Sequence, residues 1–151
     1  MPLTGDYAEL AAGWVRDQLE AIDAAGNDTR AVSIMDRPVV VLTIRGAKSG
    51  KLRRTPLMRV EHNGEYAAVA SAGGAPKHPD WYHNLKANPH IELRDGTTST
   101  DMVATEIDGA EREQWWQRCV EAFPPYAKYQ GRAGRQIPVF VCRPLNSSGL
   151  G

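Results

Sequence analysis

The chain has 151 residues, in which 18 lysine and arginine side chains balance 18 aspartate and glutamate side chains. One domain of this length can bury a full core, and a neutral balance lacks the basic bias of a general nucleic-acid-binding protein. Residues 1–151 are therefore expected to form one domain. The cysteines Cys119 and Cys142 lack metal-site spacing, and neither a secretion leader nor an 18-residue apolar run occurs. We expect a reduced, cytoplasmic setting without membrane insertion.

The N-terminal part has a helical pattern. Apolar residues recur at helical spacing from Tyr7 to Ile22, which predicts an amphipathic helix over about 6–24 that ends at Gly26. Its carboxylates outnumber its one cation, Arg16, and would repel an anionic lipid surface. We expect the helix to pack on its own domain or on a second copy of the chain. Peripheral contact with the inner face of the cell membrane is the less favoured alternative.

From Pro38 onward the pattern changes to short β-branched runs, which are typical of strands. Asn63-Gly64 lies between two of these runs and strongly indicates a two-residue hairpin, and Asp95-Gly96 indicates a second turn. The predicted strands lie at about 38–45, 55–62, 66–71, 90–95, 99–107 and 137–142.

Two further helices are predicted. Pro79 is expected to be the first residue of a short helix that ends before Pro89, because proline at that position leaves no N–H unpaired. Asp108 or Gly109 begins the second, which runs to Phe123. The stretch 124–136 is interpreted only as a connection, and the tail 145–151 is expected to be loose. Hairpin-rich strands with few helices predict an α+β fold, a small antiparallel β-barrel with packed helices.

A cluster of cations follows the first predicted strand. The stretch RGAKSGKLRRTP, residues 45–56, is similar to a nucleotide phosphate-binding loop, but only three residues separate Gly46 from Gly50. Leu52 stands where that motif needs a hydroxyl for magnesium, which disfavours an ordinary ATPase or GTPase. No acidic residue occurs between positions 45 and 60. An anionic ligand and a solvated loop between strands both remain open.

Conventional catalytic signatures are missing from the sequence. The four histidines form no recognised metal pattern, neither cysteine has an evident histidine partner, and no G-x-S-x-G motif occurs. We expect no metal, and an enzyme of this kind would rely on a bound cofactor. Its site could combine the basic loop, the glycine turn VASAGGAP at 69–76, which lets backbone approach a flat ring, and the helix start after Lys77.

Three blocks of this sequence resemble one family. RGAKSGKLRRTPL, ASAGGAPKHPDWYHNLKANP and YAKYQ followed by RQIPVFV resemble the deazaflavin-dependent nitroreductase family over about residues 37–144. The resemblance implies a split β-barrel of the FMN-binding type. It also implies coenzyme F-420, an 8-hydroxy-5-deazaflavin with a phosphate and an oligoglutamate tail. Such a ligand would suit a basic loop that has no magnesium-binding hydroxyl.

The resemblance also implies roles for individual residues. Ser71, Tyr126 and Tyr129 are candidates for hydrogen bonding or proton donation to the acceptor. A tyrosine with a pKa of about 10 is a workable acid at neutral pH but a poor base. Aromatic packing without proton transfer is the alternative for both tyrosines. The implied cofactor-binding residues are Ala47, Lys48, Ser49, Arg53, Arg54, Thr55, Pro56, Leu57, Met58, Val69, Ala70, Ser71, Ala72, Lys77, Asp80, Trp81, Tyr82, His83, Asn84 and Tyr126.

The implied activity is hydride transfer from reduced coenzyme F-420 to an electron-poor small molecule such as an enone, a quinone, a furanocoumarin-type or a nitroaromatic compound. Members that activate nitroimidazole prodrugs have an aromatic residue or a tyrosine at two substrate-side positions, where this sequence has Met58 and Phe123, so prodrug reduction is not implied. One alternative is an FMN-dependent split-barrel oxidoreductase, for which the cation cluster is larger than needed. The other is a non-catalytic anion or nucleic-acid-binding module, which predicts aromatic residues in the basic loop, where none occur. A monomer or homodimer is expected.

Overall fold

A computed structural model describes residues 3–8 and 13–145 of the chain. Seven strands form one antiparallel sheet in the order β2-β1-β5-β6-β7-β4-β3. The sheet curls until β2, at one edge, contacts β4, next to the other edge. The strands are β1 (Val39–Arg45), β2 (Leu52–Met58), β3 (Glu61–His62), β4 (Glu65–Val69), β5 (His90–Asp95), β6 (Thr98–Glu106) and β7 (Val139–Pro144).

Four α-helices pack on this sheet, which confirms the predicted α+β antiparallel barrel with packed helices. They are α1 (Trp14–Ala24), α2 (Asp80–Ala87), α3 (Gly109–Ala122) and α4 (Pro125–Ala133), and short 3-10 turns lie at Thr29–Ala31 and Ala72–Gly74. No helix in the described ranges is long and apolar enough to cross a membrane.

The predicted hairpin at Asn63-Gly64 is present. Both residues have positive φ, 54° and 81°, as the type I′ turn between β3 and β4 requires. The second predicted strand was placed too late in the chain, because β2 pairs with β1 from Leu52 opposite Arg45 and ends at Met58. The last strand begins at Val139 rather than at residue 137.

The predictions for the helices need three corrections. The first helix does not extend to residue 6, because Tyr7 forms a parallel bridge with Leu52; residues 9–12 of that prediction lie outside the described part. Pro79 is extended and precedes α2 instead of being its first residue. The supposed connection 124–136 contains α4, which begins at Pro125. The predicted loose tail lies outside the described residues after position 145.

The buried residues form two main clusters that leave one gap between them. One cluster joins β4 and β7 to α3 and α4 through residues such as Val69, Trp115 and Phe123. The other fills the curled sheet under α2, with Leu85 and Phe140 fully buried. The edge of β2, the residues after β4, α2 and α4 surround the gap, and this is the position of the candidate site.

Candidate active site

The gap is a largely apolar pocket with a volume of about 350 Å³. This volume lies within the usual range for small-molecule sites. Its walls come from β2, the end of β4, the turn that follows, the start of α2, α4 and the N-terminal helix. The lining residues are Trp14, Val15, Ile34, Met35, Thr55, Pro56, Leu57, Met58, Val69, Ser71, Ala72, Gly73, Pro79, Trp81, Phe123, Tyr126 and Tyr129.

Strand β2 presents backbone groups to this pocket because it is an edge strand. In an antiparallel ladder, alternate residues direct their N–H and C=O groups away from the neighbouring strand. Leu52 does so at this edge, where it accepts from Ala8 N–H and donates to the Asp6 carbonyl. By the same alternation, the backbone carbonyls of Arg54, Pro56 and Met58, and the N–H groups of Arg54 and Met58, face away from β1. The edge from Pro56 to Met58 thus offers backbone polar groups inside an otherwise apolar wall.

The turn after β4 has an unusual backbone. Ser71 is helical, whereas Ala72, Gly73 and Gly74 all have positive φ, at 48°, 66° and 85°. Ala72 is strained in this region because it has a Cβ atom. Ser71 is only 9% exposed, and no described residue hydrogen-bonds to its hydroxyl at the pocket wall. The side chain is therefore available to a molecule in the pocket.

Helix α4 contributes two tyrosines one turn apart. Tyr126 is 5% exposed and packs edge to face on Phe123 with ring centroids 4.9 Å apart. Its hydroxyl has no hydrogen-bond partner among the described residues. Burial raises the pKa of Tyr126 far above its usual value, so the phenol stays protonated and is able to donate a hydrogen bond to a molecule in the pocket. Tyr129 is half-buried beside it, with ring centroids 6.2 Å apart.

The basic loop, residues 46–51, is hydrogen-bonded to α2. The Asn84 side-chain oxygen accepts from Ala47 N–H at 2.9 Å, and Ser49 Oγ accepts from Lys51 N–H at 3.1 Å. Lys48, Lys51 and Arg53 are exposed and form no ion pair with another described residue. Trp81, which lines the pocket, lies one helical turn before Asn84. One short helix thus connects an exposed group of cations to an apolar pocket.

The structure does not bring every predicted cofactor-binding residue to the pocket. Arg54 forms a bidentate ion pair with Asp23 of α1, with N–O distances of 2.7 and 3.1 Å. Tyr82 donates to Glu106, and His83 packs against the Tyr82 ring away from the pocket lining. Three further predicted residues do not line the pocket: Ala70 is buried after β4, Lys77 is exposed before α2, and Asp80 is exposed as the first residue of α2.

Sequence reasoning missed part of the pocket wall. Trp14, 58% exposed, and Met35, 66% exposed, stand at its rim. Met35 and Asp36 both have positive φ in a two-residue turn closed by Ile34 and Arg37. No glycine marks that turn in the sequence, so no local signal identified it. No group of three His, Cys, Asp or Glu side chains among the described residues could hold a metal ion.

Comparison with known proteins connects this site to one family. Residues 14–144 match the family model described as F420H(2)-dependent quinone reductase. An F420H(2)-dependent quinone reductase of Mycobacterium tuberculosis is 37% identical over 107 residues, which cover 69% of this chain and 72% of that protein. A solved F420-H2 dependent reductase is 57% identical, with a TM-score of 0.68, and the match covers 74% of this chain and 99% of that one.

A second solved structure, described as a domain-swapped dimer, is 54% identical with a TM-score of 0.70. That match covers 85% of this chain and 96% of the other.

Proposed function

This chain belongs to the F420H(2)-dependent quinone reductase family, and we propose that it reduces a quinone-type small molecule in the pocket between β2 and α4. It is an oxidoreductase that depends on coenzyme F-420, as the sequence predicts, and FMN is a secondary alternative. The proposal concerns which residues hold the cofactor and which act on the acceptor.

The connection made by α2 carries this proposal. Coenzyme F-420 combines a flat ring with an anionic phosphate and glutamate tail, so its site must join an apolar slot to exposed cations. Trp81 lines the pocket, and one turn later Asn84 holds the basic loop through Ala47 N–H. An apolar pocket alone or a group of exposed cations alone would not favour this cofactor, which needs the two close together.

The residues present fit such a group. The edge of β2 offers backbone polar groups for the rim of a heteroaromatic ring, and Val69, Met58 and Trp81 offer apolar faces. Lys48, Ser49 and Arg53 would hold the phosphate and tail, with arginine suited to bidentate contact. Arg54 is already paired with Asp23, so we assign it to the ion pair that joins β2 to α1 and not to the cofactor.

When bound in its reduced form, the cofactor supplies a hydride to an electron-poor acceptor. The protein's part is to hold the acceptor, to exclude water with apolar walls and to stabilise developing negative charge. The Tyr126 hydroxyl, protonated and without a described partner, would donate a hydrogen bond to the acceptor's oxygen. Ser71 and Tyr129 also line the pocket and would be further donors.

A fluorescence titration with coenzyme F-420, run in parallel with FMN, tests this proposal. We expect F-420 to bind with a Kd of about 1 μM or tighter and FMN at least about tenfold more weakly. The double variant Lys48→Ala with Arg53→Ala should weaken F-420 binding about 100-fold, because each lost charged contact contributes roughly 1.5 kcal/mol.

Arg118→Ala is the matched control, since it removes a cation that lies over the Trp115 ring outside the pocket lining. Oxidation of the reduced cofactor by a soluble quinone then tests the acceptor. Preferential binding of FMN, or binding of neither cofactor, would contradict the proposal. The related domain-swapped dimer supports a homodimer for this chain, which light scattering on the purified protein would test.

A further inference from the structure

Arg135 makes a set of hydrogen bonds that no other side chain in the described part of the chain matches. Its Nε donates to the Ala75 carbonyl at 3.1 Å, and its Nη1 lies 2.9 Å from His78 Nδ1. Its Nη2 lies within 3.2 Å of the carbonyl oxygens of Ala70, Ser71 and Lys77. One guanidinium therefore contacts five acceptors spread over residues 70–78.

These contacts take the place of an ion pair with a carboxylate. No described carboxylate lies within ion-pair distance of Arg135, so its charge is met by carbonyl dipoles and one imidazole nitrogen. That nitrogen accepts only when the His78 ring is neutral, and burial, followed by the nearby guanidinium, lowers the pKa of His78. A guanidinium presents its N–H groups in a rigid planar fork, which a lysine ammonium cannot reproduce.

The segment 70–78, which Arg135 contacts, needs hydrogen bonds from outside itself to keep its conformation. It contains the left-handed run from Ala72 to Gly74, and its own backbone bonds are few: Gly74 N–H to Ser71 and Ala75 N–H to Ala72. Left-handed alanine persists only where the surroundings impose it. Arg135 contacts the carbonyls on both sides of this run, at Ser71 and Ala75, and so spans the strained part.

Arg135 is itself held in place by α4. The Gln130 side chain accepts from Ile137 N–H at 2.9 Å and donates to the Arg135 carbonyl at 2.6 Å. Gln130 follows Tyr129, so the same helix end fixes both the arginine and the pocket tyrosines. The guanidinium therefore joins the α4 wall of the pocket to the wall that carries Ser71.

We propose that Arg135 is a positioning residue, which fixes the segment 70–78 in the geometry that binds coenzyme F-420 and presents Ser71. This inference rests on the proposed function for the identity of the ligand, but not for the effect on the segment. Arg135 acts through the backbone it holds and not through its charge.

The experiment compares the wild type with Arg135→Lys, which keeps the charge, and Arg118→Met, which removes a charge elsewhere in the domain. Arg118 lies over the Trp115 ring of α3 and has no hydrogen bond to segment 70–78. Amide hydrogen exchange of the ligand-free proteins reports the segment directly. Fluorescence titration with F-420 then reports the binding site, and thermal melting reports the whole fold.

For Arg135→Lys we expect exchange to rise by about tenfold or more only within residues 70–78, and F-420 affinity to fall by about tenfold or more. Arg118→Met should leave the segment's exchange unchanged and alter the affinity by less than about threefold. Wild-type exchange and affinity in Arg135→Lys would overturn the inference. Global unfolding of that variant would also overturn it, because Arg135 would then support the whole fold.

If the wild type itself does not bind F-420, the proposed function fails. The exchange data would still decide whether Arg135 holds the segment, so the two failures are distinguishable.

Discussion

The Asn84 side-chain oxygen accepts a hydrogen bond from Ala47 N–H at 2.9 Å, which fixes the start of the basic loop to helix α2. Just after α2, Asn88 donates a second hydrogen bond, to the Arg45 carbonyl at the end of β1. We therefore expect Asn84 to set the distance between the cations and the ring pocket.

Asn84→Leu should raise the Kd for coenzyme F-420 about tenfold, since a lost hydrogen bond of roughly 1 kcal/mol also frees the loop. The fluorescence titration measures this change. Lys86→Met, two residues along the same helix, is the control, because Lys86 pairs only with Glu106 among the described residues. Equal Kd values for wild type and Asn84→Leu would show that the loop does not need this bond.

The hydroxyl of Tyr126 is predicted to act in turnover and not in folding. Tyr126→Phe keeps the ring packing on Phe123 and removes a hydroxyl without a described partner, so unfolding free energy should change by less than about 0.5 kcal/mol. We expect kcat to fall about 100-fold with an unchanged Kd for F-420, because a hydrogen-bond donor to developing charge is lost. Stopped-flow oxidation of the reduced cofactor measures the rate.

Tyr129→Phe is the comparison, since Tyr129 stands on the same helix but is less buried. If both variants turn over at the wild-type rate, the two tyrosines contribute only aromatic packing.

The sequence predicted those features of the fold that depend on neighbouring residues. Asn63-Gly64 favours positive φ at both positions, so the hairpin followed from local chemistry. Helix α4 also has local signals, with Pro125 at its first position and Gly134 in the left-handed conformation after its end, which the prediction of a connection over 124–136 does not use.

The contacts that define the candidate site join residues that are far apart in the sequence. Arg54 lies 31 residues from Asp23, and Arg135 lies about 60 residues from the segment it holds. No pattern in the sequence pairs residues over such distances. The glycine turn at 69–76 and the helix start after Lys77 are candidate ligand segments from their residues alone, whereas the family resemblance supplies residues 55–58 and the individual roles of Ser71 and Trp81. Residues 55–58, Ser71 and Trp81 all line one pocket.

Gly74 is predicted to be needed for the contact between the turn and α4. Its φ is +85°, and an added Cβ would lie 3.0 Å from Tyr129 Cα and 3.2 Å from the Tyr129 carbonyl oxygen. Because these are backbone atoms, relief requires α4 to move. Gly74→Ala should lower the unfolding free energy by about 2–4 kcal/mol, from left-handed strain and overpacking together.

Gly73→Ala provides the matched control. It has a φ of +66°, but a Cβ there would have no neighbour within 4 Å, so only the conformational cost of about 1 kcal/mol applies. Urea denaturation of the two variants measures the difference. Similar losses for both would mean that the turn can move away from α4 at little cost.

Alkaline pH should weaken the protein through Tyr66. The Tyr66 hydroxyl donates to Asp95 at 2.6 Å, and Arg59 Nε donates to the same carboxylate at 2.9 Å. Burial, followed by the hydrogen bond to Asp95, raises the pKa of Tyr66 to about 12. An unfolded tyrosine loses its proton near pH 10, so above this pH the folded state binds more protons than the unfolded state.

The stability that depends on Tyr66 is thus fully present below about pH 10 and is lost as the pH rises through about 12. Between pH 9 and pH 11 the wild type should lose about 1 kcal/mol more unfolding free energy than Tyr66→Phe, after an allowance for partial solvation. Urea denaturation at the two pH values measures both losses. Because other groups that titrate in this range are common to the two proteins, their effects cancel in the comparison. Equal losses would mean that the phenol and Asp95 do not interact in solution as they do in this structure.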